Sequence, residues 1–583
     1  QRVKILQQQQ SGMTIRVVYT NNMKFLLFSV FDATAKPPSG ILSGNGNQFG
    51  DFDECLSIDG AVRGKYCLAS LQVTFTPINI QPVTAFFDSD MGHRVPRYSS
   101  LMWGVCIPSS CSSFDLEEEL AQSLSGLGIS VRVHNNMCSV KNYNRPYSFG
   151  NGADRLCGVY GLLVCVGLKH LSSVSGSGLF SNPWFLLNAF SLKRNLGKMF
   201  DLSDSGSNIK GVDAYRGMNA LALLVAHKSM AMAHSPYINK VSFSAVFGMP
   251  WAVIGRSAIL YTDSFLYLSG FLNAHHLLQD LERKGTIDFK DRLIARWLFP
   301  LFLSLMLFCT YILPDISSGP QWSLVVEEHS RVCEKNMWKS FLFIHNYFGF
   351  EEMCLTHTHQ IGMDMQLYVA TLPLMLVLWK NRTLGWTLVT LIAVVSTALR
   401  YLAIYWHDIM QKLLDAARFS YILPTHRATI YLIGVIMAYL MKTKKLNFTL
   451  SNVCTICKIA AYYLLSGEVS PYKMGLEGYQ YEHFPAALFA ALSPILWGVF
   501  MCASHWAICV GTAFVESRVF KFFNKIAYSV YLTQFPIFFY NVGVQRHSEY
   551  YSPLLLVSTL LHFFLYIILA TRPAFARVYK PSS

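Results

Sequence analysis

Charged side chains are scarce in this sequence. They make up 14% of its 583 residues, against roughly a quarter in soluble proteins, and the shortage excludes a string of ordinary soluble domains. Acidic residues are the scarcer sign, 34 against 48 lysines and arginines, which leaves a formal net charge of +14. Such a surplus can mark a nucleic-acid partner. Here, however, the basic residues fall in short clusters between apolar runs, where cytoplasmic loops of membrane proteins carry them, so no nucleic-acid partner is expected. Collagen-like and coiled-coil repeats are lacking, and the short low-complexity run Gln7 to Gln10 is expected to be unstructured. The sequence begins at Gln1 without an initiator methionine and shows no signal peptide, so the expectation is that a targeting segment or more is missing.

What is abundant is apolar residues, 52% of the chain, with 14% aromatic. Runs long enough to span a bilayer, about 20 residues each, lie near 155–172, 214–233, 257–280, 293–313, 361–379, 384–405, 425–441, 451–466, 485–509, 526–544 and 553–571. The expected fold is therefore an all-α polytopic membrane protein of about 11 transmembrane helices. A small disulfide-stabilised extracytoplasmic domain precedes it. The expected domains are 1–150, cysteine-rich; 151–212, a first transmembrane helix and cytoplasmic linker; and 213–583, a multi-helix membrane domain.

The disulfide expectation comes from Cys55, Cys67, Cys106, Cys111 and Cys138, clustered in a polar region with little histidine. A zinc module would need a second closely spaced pair to match Cys106 and Cys111. Five is odd, so a partner lies upstream, or Cys157 joins, or one thiol is free. Cys333 and Cys354, in an outer loop expected at 314–360, form a candidate second oxidised set. Cys454 and Cys457, at a membrane helix on the reducing side, read as ordinary thiols. Placing the cysteines outside puts the basic clusters inside, so the amino-terminal domain is expected to be extracellular or luminal and the carboxyl terminus cytoplasmic. The sequons at Asn381 and Asn447 then fall on inner loops and are expected to carry no sugar.

Within this apolar background a few ionisable residues stand out. Arg216 and His227 are eleven positions apart, close to three helical turns, so they share a helix face with a rise of roughly 16 Å between them. If Arg216 lies at one membrane surface, His227 lies near mid-bilayer, where polar groups are functional candidates. The plainer reading is an interfacial anchor and a satisfied buried imidazole. Asp213 either orients Arg216 or stays solvated. Asp263, inside an apolar helix, pairs either with His227 or with an arginine of another helix. Ser269 and Gly270 are read as allowing close helix approach. Asp364 and Gln366 are placed to contact an acceptor from the outer side or to cap their helix. His345, His357 and His359, near Cys354, have irregular spacing, so a solvated loop is expected and no metal.

Four blocks, Ser39 to Asn45, Asp53 to Leu56, Gly64 to Leu68 and Gly104 to Cys111, resemble the amino-terminal domain of the nose-resistant-to-fluoxetine family of invertebrate membrane proteins. From about residue 210 to the end, Asp213 to His227, Asp263 to Leu272, Ser318-Gly319-Pro320, Asp364 to Leu367 and Tyr431 to Gly434 resemble the type-three membrane acyltransferases, a domain that family carries. The Arg-x10-His core of that motif matches Arg216 and His227. Departures are Ala214 in place of glycine, His359-Gln360 in place of tryptophan-tyrosine, and Phe299 where a second arginine follows Arg296.

The resemblance implies an acyl-coenzyme A donor and a membrane setting. A neutral histidine in apolar surroundings suits removal of a proton from an acceptor hydroxyl, and a guanidinium suits a phosphorylated donor. On this reading His227 and Asp263 are the catalytic candidates, Arg216 and Arg296 hold the donor, and Asp364 and Gln366 face the acceptor. The expected function is transfer of an acyl group from acyl-coenzyme A to a hydroxyl of a lipidic or extracytoplasmic acceptor, with membrane lipid as a further partner. The alternative is a catalytically weakened lipid or lipophile transport and uptake protein.

Overall fold

The computed structural model describes residues 29–36, 43–60, 62–73, 100–141, 211–249, 257–296, 299–406, 420–443, 482–511 and 518–554, with a few isolated positions between them. The spans expected at 155–172, 451–466 and 553–571, together with Cys157, Cys454, Cys457 and Asn447, lie outside these residues.

The amino-terminal region is a five-stranded sheet, which the helical expectation did not include. Its strands are β1 (Asn47–Gln48), β2 (Gly64–Val73), β3 (Ser100–Pro108), β4 (Ile129–Arg132) and β5 (Cys138–Val140), with order β1-β3-β2-β4 and β5 also on β2. Strand β2 carries an unbroken apolar centre, Tyr66 to Ala69, because both of its faces are covered there. Tyr66 and Leu68 point toward helix α1 (Phe52–Ser57), and Cys67, Ala69 and Leu71 toward helix α2 (Ser113–Leu124). Ser112 caps α2 in a reciprocal capping box with Asp115.

One disulfide lies on each face. Cys55 of α1 joins Cys106 of β3, and Cys67 joins Cys138, its register partner across β2 and β5. Cys111 is a correction to the expected oxidised set: it is a free, half-buried thiol in the turn between β3 and α2. Its four neighbours in sequence pair among themselves across the two faces, which leaves the odd one at the rim.

The rest is mostly helical: α3 (Val212–His234), α4 (Lys240–Gly248), α5 (Ala258–Lys284), α6 (Phe289–Arg296), α7 (Phe299–Leu307), α8 (Glu328–Phe341), α9 (His359–Lys380), α10 (Arg382–Trp406), α11 (Pro424–Thr443), α12 (His483–Gly511) and α13 (Arg518–Gly543). The single span expected at 293–313 is broken between α6 and α7, and α7 continues through a π-helical turn at Phe308–Ile312. Among the described residues three helices are long and apolar enough to cross a membrane, Thr356–Lys380, Arg382–Trp406 and His483–Ser504. Others carry polar groups along their length, such as His227 and Lys228 in α3 or Asp263 and Asn273 in α5.

Helices α5 and α11 run parallel and pack through reciprocal glycines. A Cβ on Gly270 would stand 2.1 Å from the Tyr431 carbonyl, and one on Gly434 would stand 2.2 Å from that of Tyr267. Only glycine permits that approach. Helices α3 and α13 also run parallel, with Gly217 against Phe520 and Phe523 and Asp213 accepting from the Asn524 amide.

The sheet domain sits on the far end of that pair. Arg546, just past α13, donates to Asp53 at 2.8 Å, stacks on Phe52 and reaches the Ser318 carbonyl. The segment between α7 and α9 holds the third disulfide, Cys333 of α8 with Cys354. Asn381 caps α10 through a 3.1 Å bond from the Leu384 amide.

Candidate active site

Helices α3, α5, α9 and α13 enclose a cavity of about 370 Å³. Along α3 its wall is Arg216, Ala220 and Leu223. His227 is the next residue on that stripe and sits just beyond the lining, 9% exposed. The spacings of four, three and four residues hold all of these on one helix face.

One end of the cavity is charged. Arg296 ion-pairs with Asp364 and donates to Asn273 at 2.6 Å and to Ser269 at 2.8 Å, while the Tyr368 ring packs under its guanidinium. Arg216 lies in the field of Asp213 and Asp364. Yet Asp213 accepts from Asn524, and Asp364 uses one oxygen on Arg296 and leaves Oδ1 unpartnered. Among the described residues Arg216 forms no ion pair. It is therefore the guanidinium at this end whose charge is left open to a ligand.

The other end is neutral. His227 packs edge-on against Phe535, with ring centroids 4.9 Å apart, and its Nδ1 is buried without a hydrogen-bond partner. The Gln534 side chain lies beside it. The opposite face of Phe535 stacks on His357 at 4.4 Å. His357 Nε2 donates to the Leu532 carbonyl at 3.2 Å, and His359 Nδ1 donates to the Thr356 carbonyl at 2.8 Å. These two histidines and His345 were expected in a solvated loop. They are instead 3%, 6% and 1% exposed: His357 packs under α13, His359 against Phe350 and Tyr421, and His345 against Phe302. Among the described residues no group of three histidines, cysteines or carboxylates is placed to hold a metal.

Two further expected residues sit elsewhere. Asp263 is fully buried and ion-paired with Arg427 of α11, itself fully buried, so it serves an interhelical contact and does not bond His227. Gln366 corrects the expectation of an acceptor contact. It faces away from the cavity, donating to the Phe343 carbonyl and to Asn346 and accepting from the Tyr347 hydroxyl. Asp364, expected on the acceptor side, lies at the charged end beside both arginines.

Sequence reasoning missed Gln360, Tyr528, Tyr531 and Gln534 as wall residues, and Arg427 as the partner of Asp263. A signal existed for Gln534: a lone amide in the apolar run Tyr531 to Phe539 is the kind of intramembrane polar group that marks a site.

A family profile described as the acyltransferase domain matches residues 209–575, and one described as the nose resistant-to-fluoxetine protein N-terminal domain matches residues 13–120. The profile over the helical body, whose apolar helices are of membrane-spanning character, makes this a membrane acyltransferase-like protein. The chain belongs to the acyltransferase family whose profile covers most of its length, and it carries the nose resistant-to-fluoxetine N-terminal domain ahead of it. It is similar to nose resistant to fluoxetine protein 6 of Caenorhabditis elegans, with 23% identity over 490 residues, covering 71% of this chain and 58% of that relative. The chain thus spans less than two thirds of that relative's length. No solved structure matches it.

Proposed function

We propose that the chain is an integral membrane acyltransferase that moves an acyl group from acyl-coenzyme A to a hydroxyl of a lipidic or extracytoplasmic acceptor. The observation that carries this reading is the α3 stripe, with an unpaired guanidinium at one end of an apolar cavity and a buried, unpartnered imidazole nitrogen beyond the other. Arg216 binds a donor phosphate, since a guanidinium freed of carboxylates offers bidentate contacts in a low-dielectric site. Arg296, neutralised by Asp364, shapes that end more than it attracts charge. The pantetheine arm lies along the apolar middle and brings the thioester to the His227 end.

His227 Nδ1 accepts the acceptor's proton as its oxygen attacks the thioester carbonyl. The carbon–oxygen bond forms, the carbon–sulfur bond breaks, and the proton passes to the leaving sulfur, giving an ester and free coenzyme A. The proposed topology has about eleven spans, the disulfide cap outside, and the Arg216 end and the carboxyl terminus at the cytoplasm.

The test is thermal. Decanoyl-coenzyme A should raise the melting temperature of the purified protein, since a ligand bound by the native state alone stabilises it. Arg216→Gln should lose the shift. His227→Ala should keep the shift and lose acyl transfer by about 10²- to 10⁴-fold. A His227→Ala protein with unchanged turnover would remove His227 as the base, and a wild type that transfers no acyl group would remove the enzymatic reading and leave lipophile handling in its place.

A further inference from the structure

The neutral end of the cavity has a chemistry of its own. Gln360 Nε2 donates to the Thr262 carbonyl at 3.4 Å, and Gln534 Nε2 donates to the Tyr531 carbonyl at 3.0 Å. A carbonyl can only accept, so these bonds fix which end of each amide is nitrogen. Both Oε1 atoms are thereby the free ends. Gln360 Oε1 has no protein donor, and Gln534 Oε1 has at most the His227 ring beside it, although the two residues are only 8% and 4% exposed, and both line the cavity. The Tyr528 hydroxyl on the same wall is likewise unpartnered. Buried acceptors so short of donors are rare in folded proteins, and a cavity with two of them on its wall residues is suited to a ligand that supplies hydrogens.

We infer that Gln360 and Gln534 bind the acyl acceptor, and that this acceptor is an uncharged lipophilic alcohol. This rests on the acyltransferase reading of the same cavity and adds the acceptor class. A hydroxyl donates to an amide oxygen and still presents its own oxygen for attack. A carboxylate brings no hydrogen and would meet acceptor oxygens. An ammonium brings hydrogens, but among the described residues the only carboxylate lining the cavity, Asp364, one helical turn from Gln360, is already neutralised by Arg296, so the ammonium's charge would go unpaired. Gln534, beside His227, delivers the hydroxyl to the imidazole.

The probes are decanol, decanoate and decylamine, which share one chain and differ in head group, with decanoyl-coenzyme A alongside. The readout is the melting temperature of the full chain in detergent. Decanol should stabilise the wild type more than decylamine does. Gln360→Met with Gln534→Met, which keeps side-chain volume, should weaken decanol about tenfold or more while the decanoyl-coenzyme A shift persists and reports an intact fold. Each single variant should show part of that loss, and the singles carry the test if the double variant does not fold.

Decanol binding unchanged in the variants, no decanol shift in the wild type, or equal stabilisation by decylamine overturns the inference. If decanol depends on the glutamines but decanoyl-coenzyme A gives no shift in the wild type, the alcohol site stands and the acyl-coenzyme A reading falls.

Discussion

The cap and the helical body solve opposite problems. In the cap, strand β2 is filled on both faces, each face has its own disulfide, and side chains alternate at period two so that nearly every apolar group meets another. In the body, polar atoms are buried without partners, and several of them gather on or beside one cavity: Gln360, Asp364, Tyr528, Gln534 and His227. A region that only has to persist leaves few groups unsatisfied, the Gln48 Nε2 of β1 being one. A region that must receive a ligand keeps some unsatisfied, since an orphaned buried group costs about 1–3 kcal/mol that a ligand recovers.

That contrast can be broken at chosen points. The largest effect on stability should come from Asp263→Leu, which leaves Arg427 and the neighbouring Arg400 buried without the carboxylate both of them face. Removing one partner of a buried pair costs about 3–5 kcal/mol, so denaturation midpoints should fall steeply. Should the variant instead keep its stability and lose only turnover, Asp263 belongs to the chemistry and not to the helix contact.

Next is the cap. Cys67→Ser with Cys138→Ser opens a loop of 71 residues, worth about 4 kcal/mol by loop entropy. Limited proteolysis should then cut the cap readily while decanoyl-coenzyme A still stabilises the body; loss of both would show that the two regions fold as one unit.

The smallest effect is at Cys111. Burial, helped by the charge of Asp115, raises its thiol pKa above the ordinary value. Less thiolate is present at a given pH, so iodoacetamide should label it more slowly than a free cysteine at pH 8, the gap closing as pH rises. Fast labelling at pH 8 would place the thiol on an open surface.

Helix positions were largely legible, because apolar runs of spanning length leave few alternatives: α3, α5, α9, α10 and α11 begin and end within a few residues of the expected stretches. The break between α6 and α7 was not, since apolarity says nothing about where a backbone bends. The shared face of Arg216 and His227 followed from spacing alone. That Asp263 would choose Arg427 over His227 depended on which helix packs against α5, and the glycines that bring α11 there act only across the pair. His357 and His359 looked like loop residues because their neighbours are polar; α13 covers His357, and Phe350 and Tyr421 pack on His359.

By itself the sequence determined a membrane body with an oxidised cap and put one cation and one imidazole on a common stripe, because hydropathy, cysteine grouping and helical period are local properties. Which cysteines join, which arginine is neutralised, and which amide oxygens are left without donors were decided by tertiary structure. Each of those depends on a partner far away in the chain, and only packing brings the two within bonding distance.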